Sequence, residues 1–274
     1  MGDHRRLDPA IAAHYAGVSE QRRLGSYSLE RVRTWELLSR HLPPPPAVVL
    51  DVGGAAGVYA LPLAAGGYQV HLVDPLARHV EQALRASAEQ PATPLAGAAV
   101  GDARRLDRPD ASVDAVLLLG PLYHLTDRAD RVAALAEARR VLRPGGVVVA
   151  AAITRFASLL DGLVRGHLDE PAFAAIVERD LRDGQHRNPT GRPEWFTTAY
   201  FHRPEELGAE VAEAGLALRA LLAVEGPAGL LADVEGRLAD PARREQVLAA
   251  VRRVEAEPSL LGASFHLLAV ALRR

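Results

Sequence analysis

Cysteine is absent from this sequence of 274 residues. Without a thiol, the chain has no disulfide, no zinc–thiolate site, no iron–sulfur cluster and no thiolate nucleophile. Lysine is absent too, so arginine supplies all 32 Lys/Arg charges against 34 acidic residues, and the net charge is −2. Arginines scattered among carboxylates do not form the clustered basic face that nucleic-acid binding requires. We therefore expect neither thiolate chemistry nor a nucleic-acid partner.

Long apolar runs are also missing. The longest uninterrupted run, Val147–Ile153, has seven residues, whereas a membrane-spanning helix needs about 20. The first six residues lack the apolar stretch of a secretory signal. We therefore expect a cytoplasmic protein with no membrane partner. Aromatic residues make up only 5% of the chain, so a local concentration of them is informative.

Short apolar runs that lead into glycine or aspartate alternate with stretches of helical character. Runs that are apolar throughout are typical of strands in a sheet covered on both faces, and alternation with helices makes such a sheet parallel. We predict an α/β fold with a doubly wound, mostly parallel seven-stranded sheet and helices on both faces. The seven predicted strands are Ala47–Val52, Tyr68–Val73, Ala96–Val100, Val113–Leu119, Val147–Ile153, Leu216–Val224 and Phe265–Leu272.

A glycine cluster directly follows the first predicted strand. Gly53, Gly54 and Gly57 allow the backbone to turn tightly and to approach a ligand, and the next helix points its free N–H groups there. Seventeen residues after Gly57, the second strand ends at Asp74. A carboxylate at that place can accept both hydroxyls of a ribose. This pattern predicts a nucleoside-containing ligand.

The glycine spacing does not fit a dinucleotide. A G-x-G-x-x-G motif that starts at Gly53 would place Ala55 and Val58 at its second and third glycines. Asp51, just before the loop, would repel a pyrophosphate but suits a nearby ammonium or sulfonium.

Residues 51–57, DVGGAAG, resemble the first motif, D/E-x-G-x-G-x-G, of the class I S-adenosylmethionine-dependent methyltransferases, with Ala55 in place of the middle glycine. Later segments are similar to that family in order and spacing, and together they cover about residues 46–153. The resemblance implies a Rossmann-like fold, S-adenosyl-L-methionine as cofactor and S-adenosyl-L-homocysteine as product. The matching segments are Asp74, Gly101-Asp102-Ala103, Asp114–Leu119, Gly120–Leu125 and Glu137–Gly146.

The same resemblance implies a role for each matched residue. Gly53 and Gly57 would contact the methionine part of the cofactor, and Asp74 would hold the ribose. Asp102 would bind the adenine amino group, with Ala103 behind it, while Leu119 and Gly120 would lie at the methyl-donor end. The full predicted cofactor set is Asp51, Gly53, Gly54, Ala55, Gly57, Asp74, Pro75, Asp102, Ala103, Leu119 and Gly120.

Tyr123 and His124 follow the fourth predicted strand, and the resemblance places them near the transferred methyl group. His124 is either a general base toward an incoming hydroxyl or amine, or a packed histidine that fixes the loop. Tyr123 either shields the sulfonium with its ring or belongs to the core. We take both residues as the catalytic candidates, and we expect no metal.

Residues 155–274 carry no specific resemblance, so the acceptor site is predicted from composition. Two segments are placed to cover the cofactor: the N-terminal helices and an insertion after the fifth strand that is rich in rings. Such a concentration fits a small-molecule pocket, although the rings could equally anchor the insertion to the core. The predicted substrate-binding residues are Tyr15, Tyr27, Arg155, Trp195, Tyr200 and His202.

No linker long enough to divide the chain is present, so we predict one domain over residues 1–274. Its expected parts are an N-terminal helical cap (1–45), a cofactor-binding core (46–153), a lid-like insertion (154–203) and C-terminal helices and strands that complete the sheet (204–274).

The sequence thus predicts a methyltransferase that acts on oxygen, nitrogen or carbon of a small-molecule acceptor, as a monomer or homodimer. A non-catalytic cofactor-binding or scaffold protein on the same fold remains an alternative. A nucleic-acid methyltransferase fits less well, because the loop after the fourth strand reads Gly-Pro-Leu-Tyr and lacks the Asn/Asp-Pro-Pro-Tyr pattern of base-amino methylation.

Overall fold

The apolar runs of the sequence lie side by side as strands of one sheet in the computed structural model, which describes residues 7–17 and 28–274. The strands are short because each apolar run ends at a turn residue. Within the described residues they are β1 (Val48–Val52), β2 (Gln69–Asp74), β3 (Gly97–Val100), β4 (Val113–Leu118), β5 (Leu142–Thr154), β6 (Gln185–His186), β7 (Ala199–His202), β8 (Ala217–Ala223) and β9 (His266–Leu272).

Helices connect most of these strands. Several begin at proline, which suits the first helical turn because that turn leaves its N–H groups unpaired. The described helices are α1 (Pro9–Gly17), α2 (Leu29–His41), α3 (Ala60–Ala65), α4 (Ala77–Ala88), α5 (Pro121–His124), α6 (Arg128–Val141), α7 (Ala157–Arg165), α8 (Pro171–Asp183), α9 (Pro204–Glu213), α10 (Val234–Ala239) and α11 (Pro241–Val254). Short 3₁₀ turns cover His167–Asp169, Pro193–Trp195, Gly226–Leu230 and Pro258–Ala263.

The main body of the sheet runs β3-β2-β1-β4-β5 with parallel pairing throughout. Beyond β5, strand β9 pairs antiparallel, and β8 pairs antiparallel with β9 in turn. These seven strands are the predicted ones, and the mostly parallel α/β sheet is confirmed. The described residues hold nine strands, two more than predicted. One of them, β9, runs antiparallel to β5.

The two unpredicted strands, β6 and β7, come from the insertion after β5. Ile153 pairs with Phe201 of β7 and also with His266 of β9. A strand residue has one neighbour on each side, so β7 lies on the side of β5 opposite β9. Strand β4 pairs with β5 on that same side, and its last paired residue is Leu118. Strand β7 therefore lies beyond the carboxyl end of β4. The insertion is therefore built into the sheet edge above β4.

Both faces of the sheet are covered by helices. Successive strand residues point to opposite faces. Leu50 belongs to one buried cluster with Leu135 of α6 and Leu207 of α9, and Val49 belongs to another with Leu37 of α2 and Leu63 of α3. The polar loops therefore gather at the edge where parallel strands end, which is where ligands bind in open α/β sheets. Among the described helices, none combines the length and the apolar character needed to cross a membrane.

Candidate functional site

The loop after β1 is shaped by left-handed backbone at three positions. Gly53, Ala55 and Gly57 have φ values of +73°, +48° and +89°. At Gly53 a Cβ atom would lie 2.8 Å from the ring of Pro121, so only glycine fits between the loop and the start of α5. The Gly53 N–H donates to the carbonyl of Val73 on β2 at 2.7 Å. The loop is thus held close to the ends of β2 and β4.

A cavity of about 820 Å³ opens above this loop, and we call it the nucleoside cavity. Ten of the eleven predicted cofactor residues line it, together with Tyr15, Tyr123 and His124. Gly57 does not line it, because its N–H donates to the Gly54 carbonyl and its Cα faces Leu61. The lining residues from the predicted cofactor set are Asp51, Gly53, Gly54, Ala55, Asp74, Pro75, Asp102, Ala103, Leu119 and Gly120.

Two buried carboxylates stand side by side at the base of the cavity. Burial raises the pKa of Asp51 to about 7, and the nearby charge of Asp74 adds to that rise. One oxygen of Asp51, Oδ2, is buried without a hydrogen-bond partner among the described residues. An unpaired buried carboxylate oxygen is costly, so the site favours a ligand that brings a cation to it.

Asp74 is held in place by its neighbours. Its Oδ2 accepts from the Ala55 N–H at 2.9 Å, and its Oδ1 accepts from the Leu76 N–H at 2.9 Å. His79 Nδ1 lies 3.0 Å from the same Oδ1. Each carboxylate oxygen has two lone pairs, so Oδ2 keeps capacity for a further donor such as a hydroxyl.

The far end of the cavity combines a carboxylate with an exposed apolar side chain. Asp102 accepts from the Arg104 guanidinium through both oxygens, the shorter contact being 2.6 Å, and Arg104 also reaches Asp130 at 2.8 Å. Val100 lines the same end and is 58% exposed. A flat ring laid over Val100 would cover this apolar surface.

Tyr15 of α1 and His124 of α5 form a hydrogen-bonded pair at the opposite end. The Tyr15 hydroxyl lies 2.7 Å from His124 Nε2, and His124 Nδ1 lies 3.3 Å from the Thr198 carbonyl. A carbonyl only accepts, so Nδ1 carries the proton and the Tyr15 hydroxyl donates to Nε2. The ring of Tyr123 lies 4.7 Å from that of His124. The roles assigned to Tyr123 and His124 remain predictions.

A second cavity of about 350 Å³ shares a boundary with the first, and we call it the aromatic cavity. Four described residues line both cavities: Tyr15, Glu30, Tyr123 and His266. Its lining includes five rings from the insertion and from the segment before β9, namely Phe173, Trp195, Phe196, Phe201 and Phe265.

Three predicted substrate residues lie away from both cavities. Arg155 donates to Glu206 at 2.9 Å and to the hydroxyl of Tyr200 at 3.1 Å. His202 is fully buried with its Nε2 3.2 Å from Glu210, and burial lowers its pKa. The polar groups of Arg155, Tyr200 and His202 are thus used inside the protein, where they tie the insertion to α9, and their role in substrate binding stays a prediction.

The other predicted substrate residues have different outcomes. Tyr15 lines both cavities, and Trp195 lines the aromatic cavity, so their predicted role stays open. Tyr27 lies outside the residues that the structure describes.

The structure also shows site residues that sequence reasoning missed. Glu225 follows the end of β8 and His266 begins β9, so both lie at the carboxyl edge of β5, and Glu30 of α2 lies beside them. One polar atom of each of these three side chains lies within 4.8 Å of the others. The Glu225 carboxylate already accepts from Ser264 and His266, so we interpret the group as a hydrogen-bonded cluster and assign no metal to it.

Comparison with known proteins agrees with this geometry. The fold is that of the Rossmann-like class I methyltransferases: a methyltransferase from Mesorhizobium loti, described as S-adenosylmethionine-dependent, aligns with a TM-score of 0.60 at 17% identity over 90% of this chain and all of its own. Residues 49–146 match the family described as "Methyltransferase domain". The matched residues include the glycine loop, Asp74 and Asp102.

Curated relatives match the same region. A ubiquinone/menaquinone biosynthesis C-methyltransferase from Acidiphilium cryptum is 35% identical over 145 residues, which are 52% of this chain and 55% of the relative. A malonyl-[acyl-carrier protein] O-methyltransferase from Methylococcus capsulatus is 36% identical over 139 residues, covering 50% and 46%. The chain thus spans about half the length of the curated relatives it matches, and these relatives methylate carbon in one case and oxygen in the other.

Proposed function

We propose that this protein is an S-adenosyl-L-methionine-dependent methyltransferase that acts on a small molecule. The observation that carries the proposal is the nucleoside cavity, because one cavity collects ten of the eleven residues predicted to hold the cofactor. The match of residues 49–146 to the methyltransferase domain family supports it.

The residues of the cavity fit this cofactor group by group. The unpaired Oδ2 of Asp51 would be neutralised by the ammonium of the methionine part. The spare lone pairs of Asp74 suit ribose hydroxyls, and Asp102 with Val100 suits the amino group and face of adenine. When bound, the cofactor supplies a methyl group on a sulfonium, which is transferred by direct displacement.

The protein's task in such a displacement is mainly alignment. Holding the acceptor in line with the methyl group can lower the barrier by roughly 7–11 kcal/mol. We assign the acceptor to the aromatic cavity, since it shares a boundary with the nucleoside cavity, formed by Tyr15, Glu30, Tyr123 and His266. Residues 154–203 would then act as the lid over the acceptor, as part of one domain.

We further propose that the acceptor atom is oxygen, nitrogen or carbon of a metabolite, and that the protein works in the cytoplasm as a monomer or homodimer. Light scattering of the purified chain checks the oligomeric state.

Calorimetry with S-adenosyl-L-methionine and S-adenosyl-L-homocysteine tests the proposal directly. We expect both to bind the wild-type chain, and Asp74→Ala to weaken binding about 10- to 100-fold, because charge-assisted hydrogen bonds to hydroxyls are lost. Asp107→Ala, at an exposed position outside the cavity, is the matched control. Unchanged affinity in Asp74→Ala would refute the assignment of the ribose site.

A methyl-transfer assay against a metabolite panel then separates an enzyme from a binding protein. Transfer to any acceptor supports catalysis. Tight cofactor binding without transfer across the whole panel favours the scaffold alternative.

A further inference from the structure

We propose that His79 is a second ribose-binding residue of the nucleoside cavity: its Nε2 accepts one of the two neighbouring ribose hydroxyls, and Asp74 accepts the other. This inference rests on the proposed methyltransferase function and deepens it, because it divides recognition of the cofactor's ribose between two side chains. His79 is not in the set of cofactor residues predicted from the sequence.

The first step is the number of hydrogen bonds that Asp74 can still accept. Its Oδ1 already accepts from two donors, the Leu76 N–H at 2.9 Å and His79 Nδ1 at 3.0 Å. Its Oδ2 accepts from the Ala55 N–H at 2.9 Å. Each carboxylate oxygen has two lone pairs, so Oδ1 is filled and Oδ2 has room for one more hydrogen. Asp74 can therefore take one ribose hydroxyl, and the neighbouring hydroxyl requires another acceptor.

The second step is the protonation pattern of His79. A carboxylate oxygen only accepts, so Nδ1 carries the hydrogen that points to Asp74, and in the neutral ring Nε2 holds a lone pair. In the described part of the chain Nε2 has no hydrogen-bond partner. It is also not one of the unpartnered polar atoms that the protein encloses completely. Nε2 is thus an available acceptor.

The third step is the position of the ring. His79 lines the nucleoside cavity and lies in the first turn of α4, from which its side chain reaches back to Asp74 at the end of β2. The ring of Tyr15 packs edge-on against it, with the ring centres 5.9 Å apart and the planes at 82°. The side chain of His79 is only 9% exposed. Its orientation is therefore fixed, and the edge that carries Nε2 is directed away from Asp74.

This arrangement is complementary to two hydroxyls on neighbouring carbon atoms. A hydroxyl enclosed without a partner would weaken binding, so a second acceptor beside the carboxylate has a clear use. A neutral imidazole also adds no negative charge to the base of a cavity that already holds Asp51 and Asp74. We therefore expect each ribose hydroxyl to contribute to affinity through its own side chain.

An indirect role for His79, in which the ring only holds the Asp74 carboxylate, makes a different prediction. In that case loss of the ring affects the hydroxyl that Asp74 binds. If Nε2 accepts the second hydroxyl, loss of the ring affects that other hydroxyl. The two roles are therefore separated by removing the hydroxyls one at a time.

Calorimetry with S-adenosyl-L-homocysteine, and with the two analogues in which one ribose hydroxyl is replaced by hydrogen, tests the proposal. His79→Asn can keep a donor near the position of Nδ1 but removes Nε2. We expect this variant to bind S-adenosyl-L-homocysteine about 3- to 10-fold more weakly than wild type, the effect of one lost neutral hydrogen bond. It should bind one analogue as tightly as wild type does, because that analogue lacks the hydroxyl concerned. The loss caused by Asp74→Ala should shrink with the other analogue.

His41→Asn, the same substitution at the end of α2 and outside both cavities, is the matched control and should leave all three affinities unchanged. His79→Phe keeps a ring without nitrogen atoms and serves as a second variant. Its coupling to the same hydroxyl should also be lost. Binding of the insensitive analogue by His79→Asn shows that this variant folds.

Unchanged affinity of His79→Asn for S-adenosyl-L-homocysteine, or an equal loss for it and for both analogues, would overturn the assignment. Coupling of His79 and Asp74 to the same hydroxyl would overturn it as well, because the ring would then act only on the carboxylate. In each of these cases wild-type protein still binds S-adenosyl-L-homocysteine, so the proposed function stands. If wild-type protein does not bind it, the proposed function and this inference fail together.

Discussion

At the scale of single residues, the site depends on carboxylates whose neighbours decide what they do. Asp74 was predicted to hold a ribose, and it also fastens the glycine loop through the Ala55 N–H. Asp51 has one oxygen with no described partner and a pKa raised to about 7. Asp74 thus holds the glycine loop by a hydrogen bond, whereas Asp51 keeps an oxygen that can interact with a ligand.

The raised pKa of Asp51 makes a prediction about stability. Between about pH 4 and pH 7 the folded protein keeps a proton on Asp51 that the unfolded chain has lost, so stability falls as pH rises through this window. Asp51→Asn cannot ionise, and it should therefore regain up to about 4 kcal/mol relative to wild type at pH 8. We expect the melting temperature of Asp51→Asn, minus that of wild type, to increase from pH 5 to pH 8 in the cofactor-free protein.

The control for this measurement is Asp107→Asn, which replaces an exposed aspartate outside both cavities. It should shift the melting temperature little at any pH. A difference between Asp51→Asn and wild type that stays constant with pH would contradict the raised pKa.

At the scale of elements, helices α6 and α9 are joined by a buried ion pair. Arg131 reaches Glu210 at 2.7 Å, donates to the carbonyls of Leu125 and Thr126, and stacks on Tyr200 with its guanidinium carbon 3.7 Å from the ring centre. Both charged side chains are almost fully buried. This network fixes Leu125 and Thr126, which directly follow His124 at the end of α5.

Loss of Arg131 should destabilise the folded protein, because it removes the main counter-charge of the buried Glu210. We expect Arg131→Met to lower the free energy of unfolding by about 3–5 kcal/mol, as measured by denaturant titration. Arg85→Met is the matched control: Arg85 lies 3.9 Å from Glu81 at the surface, and its loss should change stability by about 0.5 kcal/mol or less. Equal losses of unfolding free energy in the two variants would show that the buried ion pair contributes no more to stability than the exposed one.

The elements also show how far sequence reasoning reaches. Strands β1 to β4 were predictable because each is an apolar run ending at glycine or aspartate, and β5 because its run of seven apolar residues follows Gly145-Gly146. Strands β6 and β7 were not, since β6 has two residues and β7 four, and their pairing with β5 depends on the tertiary path of the insertion. Short strands without periodicity carry no local signal.

Some residues of the candidate site could likewise be predicted from the sequence, and others could not. The predicted cofactor residues directly follow strand ends, so their order and spacing could be recognised in the sequence. Glu225 and His266 are 41 residues apart, and the antiparallel pairing of β8 with β9 brings them together. A charged residue directly after a predicted strand was the available signal for Glu225. For Arg155, Tyr200 and His202, composition could not show that their polar groups form hydrogen bonds inside the protein.

At the scale of the whole molecule, the two cavities are formed by different parts of the chain. Residues 49–146 supply most of the nucleoside cavity, while the rings of the aromatic cavity, apart from that of Tyr123, come from residues outside that range. Changes in the insertion should therefore alter the acceptor without altering the cofactor.

A conservative substitution of Trp195 tests whether the two cavities bind their ligands separately. It packs 5.2 Å from Phe173, and its indole nitrogen has no hydrogen-bond partner among the described residues, so Trp195→Phe loses contact area but no hydrogen bond. We expect acceptor KM to rise severalfold, roughly 1 kcal/mol of lost contact, with unchanged cofactor affinity by calorimetry. Trp35→Phe, which lies outside both cavities, should change neither. A fall in cofactor affinity for Trp195→Phe alone would show that the cavities are not separate.

Tyr15 belongs to both compartments, since it lines the nucleoside cavity, lines the aromatic cavity and donates to His124. Occupancy of either cavity therefore bears on the position of the same side chain and of helix α1. Two ligands that share one wall are thermodynamically linked: the factor by which bound S-adenosyl-L-homocysteine changes acceptor affinity must equal the factor by which the acceptor changes affinity for S-adenosyl-L-homocysteine. In the proposed reaction, we expect release of one product to be coupled to release of the other through this tyrosine.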